Sequence, residues 1–118
     1  MLKYTVGITL SRILQIKLIP MTLKFELDSD VLKLNGRFTE ESIKLVENLI
    51  TAFLKSNSRI IVDLSFLNRI DVECIYFLED LQTIQREQGK TILLRRVNNN
   101  RIFKAFKVLD LDTIFENS

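Results

Sequence analysis

The chain has 118 residues, of which 47% are hydrophobic, and a formal net charge of +2, which fits one domain with a core of its own. It has no histidine and one cysteine, Cys74, so the commonest general base and metal ligand is missing and an internal disulfide is excluded. The nearly neutral charge argues against nucleic acid as a partner, because nucleic-acid binding usually needs a concentrated basic surface.

Residues 1–20 alternate weakly between apolar and polar side chains and end at Pro20. We interpret them as a strand-like extension that adds a strand to a sheet edge or forms a homodimer contact. The apolar run is interrupted by polar residues and lacks a cleavage site, so it does not fit a signal peptide, and no stretch is long enough to span a membrane. We therefore expect a cytoplasmic protein whose main domain covers residues 21–118. Met21 follows Pro20 directly, so either Met1 or Met21 could be the native start.

Two alternating runs come next, residues 22–27 and 31–36, and the turn-forming residues between them predict a β-hairpin. Thr39 is a candidate N-cap for the helix that follows, with Glu40 and Glu41 in its first turn. Apolar residues then recur at helical spacing, at Ile43, Val46, Leu49, Ile50 and Phe53.

The segment 59–64, with the sequence RIIVDL, is nearly all apolar and predicts a central strand that is buried on both faces. A loop should follow it, then a helix from Asp71 to about Gln88, with Gly89 as its C′ residue. Residues 90–96 predict another strand, and a last helix should follow the turn at residues 98–100. This order predicts an α/β domain with a central, mostly parallel sheet of about 4–5 strands covered by helices.

The helix after Asp71 separates into two arcs at 100° per residue. We expect the apolar arc to face the core; it contains Cys74, Phe77, Leu78, Leu81 and Ile84. Cys74 is then a small buried hydrophobe. Val72 falls among the polar residues, which predicts an apolar side chain exposed at the start of the helix. The alternative is that the first helical turn tucks against a neighbouring loop and buries Val72.

Four pieces of the chain, taken in order, resemble the STAS domain of bacterial anti-sigma factor antagonists. They are VLKLNGRFTEES, RIIVDLSFLNRIDVECIYFL, GKTILLRR and VLDLDTIF, which together cover about residues 22–115. The central motif of that family is typically Asp-Ser-Ser-Gly-Leu, and its first serine is phosphorylated by an anti-sigma factor kinase. This chain has Asp71-Val72-Glu73-Cys74-Ile75 in its place, so the phosphorylation position is occupied by Val72, which has no hydroxyl.

The resemblance implies a non-catalytic protein-interaction module that works by partner switching in the regulation of transcription, without a metal or cofactor. A kinase-like anti-sigma factor is then the expected protein partner, and no phosphorylation is expected at Val72. The implied partner-binding residues lie on two neighbouring segments: Arg37, Phe38 and Thr39, and Asp71, Val72, Glu73 and Tyr76. We expect Phe38 and Val72 to form an apolar centre, with Arg37 and Glu73 as a charged rim.

Two other functions stay open at this point. STAS domains also occur as subunits of membrane lipid-transport complexes of the ABC transporter type. Nucleotide binding is suggested for some relatives, although this sequence has no phosphate-binding glycine loop.

Overall fold

The computed structural model describes residues 23–115, which form four strands and three α-helices in the order ββαβαβα. The strands are β1 (Leu23–Asp28), β2 (Val31–Phe38), β3 (Arg59–Ile70) and β4 (Thr91–Arg95). The helices are α1 (Ile43–Leu54), α2 (Val72–Glu87) and α3 (Asn100–Val108), with short 3-10 turns at Glu40–Ser42 and Asp112–Ile114. The predicted order of elements is confirmed.

The strands form one sheet in the order β1-β2-β3-β4. β1 and β2 are the predicted hairpin and pair antiparallel, whereas β2 pairs parallel with β3 and β3 pairs parallel with β4. β3 is therefore an interior strand, as its run of apolar residues predicted. The predicted mostly parallel α/β sheet is confirmed, with four strands in the described residues.

β3 is buried on both faces, and the helices pack on one of them. Residues 60–64 are all buried although successive side chains of a strand point to opposite faces. Both connections between parallel strands advance across the sheet in the same direction, so right-handed crossovers place α1 and α2 together on one face. α3 packs on the same face, because its buried Ile102 and Phe106 belong to one hydrophobic core with the buried residues of α1 and α2, whereas Ile61, which points to the opposite face of β3, lies outside that core.

The predicted loop after Leu64 is wrong, because β3 continues to Ile70. Its pairing with β2 shifts register between Lys33 and Asn35, so the strand passes through an irregular stretch near Ser65. The Asn99 side chain, at the start of α3, fixes that stretch. Its Nδ2 donates hydrogen bonds to the carbonyl oxygens of Leu64, Ser65 and Leu67 at 3.3, 2.9 and 2.9 Å.

The apolar arc predicted for α2 is right in its first half and wrong at Ile84, which is 49% exposed. Cys74, Leu78 and Leu81 are buried as expected, but Gln85 is buried in place of Ile84. The reason is that the end of α2 lies over β4, where the Gln82 amide donates to the carbonyl of Ile92 at 2.9 Å. The contact with β4 decides which residues of the last turns face inward.

The strand-like extension predicted for residues 1–20, and the homodimer contact through it, lie outside the described residues. Among the helices within residues 23–115, none has the length and apolar character needed to cross a membrane.

Candidate partner-binding site

The end of β2 and the start of α2 lie side by side at the C-terminal ends of the parallel strands. Phe38 pairs with Ile70 in the last register position of β2 and β3. The Asp71 backbone N–H donates to the Phe38 carbonyl at 3.0 Å, which ties the two segments together directly before the helix begins. The predicted segments 37–39 and 71–73 are therefore neighbours.

Val72 is the first residue of α2, and 51% of its surface is exposed. Tyr76 lies one helical turn further on and is 45% exposed, and Glu73 between them is also exposed. The alternative in which the first turn buries Val72 is therefore wrong. An apolar side chain and an aromatic ring stand open to solvent at the N-terminus of this helix.

Phe38 does not share this surface, because its side chain is fully buried. Its ring packs edge-on against the Phe77 ring at a centroid distance of 6.3 Å. The expectation that Phe38 and Val72 form one exposed apolar centre is wrong. Leu32, Leu34 and Phe38 occupy alternate positions of β2 and face the core together, a period-two signal already present in the sequence.

The other predicted residues frame the helix start. Arg37 is exposed, and Thr39 is half-buried with its Oγ1 enclosed and without a hydrogen-bond partner. Asp71 occupies the N-cap position and its carbonyl accepts from the Cys74 N–H at 2.9 Å, but its side chain makes no cap hydrogen bond. That carboxylate instead approaches Arg69, with Oδ1 3.7 Å from Nε.

Comparison with known proteins identifies the family to which the chain belongs. A family model described as "Mlab, STAS domain" matches residues 21–116. The chain belongs to this family of STAS domains. A search of curated proteins finds no match to the sequence.

Solved structures show the same fold at low sequence identity. The anti-sigma factor antagonist SpoIIAA in its unphosphorylated form is similar with a TM-score of 0.56 and 20% identity, over 79% of this chain and 84% of that one. An anti-sigma factor antagonist from Mycobacterium paratuberculosis is similar with a TM-score of 0.56 and 18% identity, over 80% of this chain and 82% of that one. At these identities the similarity establishes the STAS fold.

Cys74, in the first turn of α2, is buried in this STAS domain as predicted. Burial raises the pKa of its thiol to about 12, and the negative charges of Asp71, Glu73 and Glu40 act in the same direction. A hydrogen bond with the Asp71 backbone lowers the pKa but does not offset the burial. The residue is a packed thiol beneath the helix start and not a nucleophile at neutral pH.

Sequence reasoning missed a groove between α1 and α2 that begins beside Glu73. We call it the α1–α2 groove; its volume is about 450 Å³ and its lining residues are Glu47, Glu73, Tyr76, Phe77, Asp80, Leu81 and Ile84. No local signal indicated the groove, because helical periodicity assigned Ile84 to the buried arc of α2 and only the structure shows that it is exposed. Within residues 23–115 no group of three or more cysteine, aspartate or glutamate side chains is arranged to hold a metal ion.

Proposed function

We propose that this STAS domain is a non-catalytic protein-interaction module that binds a protein partner at the start of α2. The observation that carries the proposal is the exposure of Val72 and Tyr76 on successive turns of the helix. Arg37 and Glu73 supply charge at the rim of the same surface. A small apolar patch with a charged rim is the usual anatomy of a protein interface.

The buried Phe38 supports this surface from below. Its ring fixes the end of β2 against Phe77 of α2, so the neighbouring Arg37 and Thr39 hold their places beside Asp71. The proposed partner-binding residues are therefore Arg37, Thr39, Asp71, Val72, Glu73 and Tyr76, with Phe38 in a structural role.

The partner contact is not switched by phosphorylation at the helix start. A phosphate there would add about two negative charges and repel an acidic or apolar partner. Val72 has no hydroxyl, and Glu73 is the following residue, turned by about 100° on the helix. We propose a kinase-like anti-sigma factor as the partner class, with binding that is insensitive to any kinase acting at this position.

The test is the substitution Val72→Asp, which places an unpaired charge at the proposed contact. Burial of that charge should weaken partner binding by about 1–3 kcal/mol, which is about 5- to 150-fold in Kd. The fold should survive, because an acid is favourable in the first turn of a helix. Binding is measured by quantitative pull-down from extract of the native cell, and folding by thermal melts.

The matched control is Val97→Asp, since Val97 is also a valine and is 56% exposed, but lies after β4 beside α3. Equal binding by the Val72→Asp and Val97→Asp variants would place the partner surface elsewhere. Capture of a transporter ATPase in place of a kinase-like protein would support the lipid-transport alternative and leave the position of the surface unchanged.

A further inference from the structure

The α1–α2 groove combines apolar side chains with carboxylates. Tyr76 and Ile84 are each about half exposed along it, and Glu47, Glu73 and Asp80 surround them with no basic residue in the lining. Lys44 approaches Glu47 at 3.8 Å, but both side chains are well exposed, so this pair neutralises little of the negative charge. An apolar ligand that also carries positive charge is the chemistry this groove fits.

Two other depressions in the described part of the chain have a different character. One, on the open face of β1 and β2, is lined by Lys24 and Lys33 together with Glu26. The other, between α2 and β4, is lined by Arg86 and Lys90. Because lysine or arginine side chains line both depressions, each would bind a basic segment less favourably than the α1–α2 groove.

Residues 1–22 of the chain itself have the complementary composition. Their charged side chains are Lys3, Arg12 and Lys17, they include no acidic residue, and more than half of them are apolar. Three positive side chains thus match the three carboxylates of the groove.

The point where this segment joins the fold also favours the groove. Leu23, the first residue of β1, is in register with Gly36, and Gly36 with Leu67, three residues before the end of β3. Leu23 therefore lies at the end of the sheet where α2 begins, which is also the end where the groove starts at Glu73. Twenty-two extended residues reach roughly 70 Å, whereas the longest dimension of the molecule is 43 Å, so the length of the tether does not limit docking.

We propose that residues 1–22 dock into the α1–α2 groove of their own chain, with apolar side chains against Tyr76 and Ile84 and basic side chains against Glu47, Glu73 and Asp80. This replaces the edge strand expected from the sequence. The neighbouring pairs Ile13-Leu14 and Leu18-Ile19 would place apolar side chains on both faces of an added strand. Beside β1 one of those faces is open, since Lys24 and Glu26 are exposed there.

The docked segment covers Glu73 and Tyr76, so it competes with a partner at the start of α2. This consequence rests on the proposed function, whereas the docking itself is measured on the isolated chain and does not depend on it. Failure of docking and failure of the partner surface are therefore seen in separate experiments.

The experiment places a nitroxide spin label at Ser11→Cys in the full, ¹⁵N-labelled chain and measures the loss of amide signals by NMR. Cys74 is buried with its thiol pKa raised to about 12, so the label reacts at the new cysteine and Cys74 stays in place. The amide signals of residues lining the groove, among them Tyr76 and Ile84, should lose most of their intensity relative to the spectrum recorded after the nitroxide has been chemically reduced. A label at Lys24→Cys, on the exposed face of β1 opposite the helices, should spare them.

Charge reversal tests the chemistry of the contact. Glu73→Lys with Asp80→Lys should restore the groove signals to full intensity, whereas Glu26→Lys with Glu87→Lys makes the same change of net charge outside the groove and should leave the signal loss intact. Adding Arg12→Glu and Lys17→Glu to the groove variant should recover the signal loss.

Each other outcome overturns the proposal. Signal loss along β1 instead of the groove would mean an added edge strand. A further measurement uses a mixture of ¹⁵N chains without a spin label and ¹⁴N chains with one. Signal loss in that mixture as large as in the spin-labelled ¹⁵N chain would mean that a second copy supplies the segment. No localised loss would mean that the groove is not occupied by residues 1–22.

Discussion

Cys74 shows at the scale of a residue how the fold decides reactivity. The thiol lies in the first helical turn of α2, a position that often activates a cysteine because of the positive end of the helix. Here burial and the nearby carboxylates outweigh that effect and raise its pKa to about 12. The same residue type at the same helical position is inert when the core encloses it.

We expect the native protein to resist thiol reagents at pH 8, and the protein unfolded in denaturant to react at once with one thiol per chain. The measurement is the rate of reaction with a chromogenic disulfide reagent. The control is Cys74→Ala, which should give no signal in either state. Stoichiometric reaction of the native chain within the mixing time would contradict the burial of Cys74.

The same thiol predicts a pH dependence of stability. In the folded state its pKa is raised from 9.0 to about 12, so above pH 9 the unfolded chain loses its thiol proton while the folded chain keeps it. Stability from this group is therefore complete below pH 9 and is lost as the pH rises toward 12. Denaturant unfolding should show that wild type loses stability relative to Cys74→Ala across this range; parallel curves would contradict the prediction.

At the scale of an element, Asn99 joins α3 to the irregular part of β3. Its Oδ1 accepts from the Ile102 N–H at 3.2 Å and caps the helix, while Nδ2 donates to three carbonyls of β3. One side chain thus satisfies backbone groups of two elements that are far apart in sequence. The Val97 N–H adds a hydrogen bond to Ser65 Oγ at 2.6 Å on the same stretch.

Replacing Asn99 with Ala should reduce the free energy of unfolding by about 2–4 kcal/mol, because the cap and the donors to β3 are lost together. Asn99→Asp keeps an acceptor for the cap but removes the donors, so it separates the two contributions and should remain strongly destabilising. Asn100→Ala, at an exposed neighbouring position, should change stability by less than about 0.5 kcal/mol. Denaturant titration measures all three, and an unaffected Asn99→Ala variant would mean that the β3 carbonyls find other donors.

Gly36 controls the shape of β2 before the proposed partner surface. It adopts a φ of 99°, where a side chain is strained, and the pairing with β3 shifts register between Gly36 and Arg37. Gly36→Ala should cost about 1–3 kcal/mol in stability. The exposed neighbour Asn35→Ala serves as the control, and a melting temperature equal to that of the control would show that the strand accommodates the methyl group.

At the scale of the whole molecule, charge is divided between the helices that cover the sheet. α2 has four acidic residues and one basic residue, at positions 73, 79, 80, 87 and 86, whereas α3 carries Arg101, Lys104 and Lys107 and no acid. Because α2 and α3 pack on the same hydrophobic core, the helical side of the molecule carries a negative region along α2 and a positive region along α3. Such a division orients an approaching partner more than it contributes affinity.

Hydrogen exchange tests how the whole domain opens. The amides of Ile60 to Leu64 should exchange only by global unfolding, because β3 is paired on both sides and these residues are buried. The amides of β1, which pairs on one side within the described residues, should exchange faster. Equal protection in β1 and β3 would show that the edge strand opens only with the entire domain.

The sequence by itself determined the order of elements, the hairpin, the interior position of β3 and the burial of Cys74. These follow from local signals, namely side-chain periodicity, turn residues and the length of apolar runs, which act within a few residues of one another. It also placed segments 37–39 and 71–73 together through the STAS resemblance, and it placed Val72 on the polar arc of α2, although it left the burial of Val72 open.

Only the tertiary structure decided the continuation of β3 to Ile70 and the burial of Gln85 in place of Ile84. Each depends on a partner distant in the chain: Asn99 for the irregular strand, and the β4 carbonyl of Ile92 for the end of α2. Periodicity fixes which side chains share a face, but the rotation of that face and the length of a strand are set by what packs against them. The α1–α2 groove arises in the same way, because its two walls come from helices that meet only after the sheet has formed.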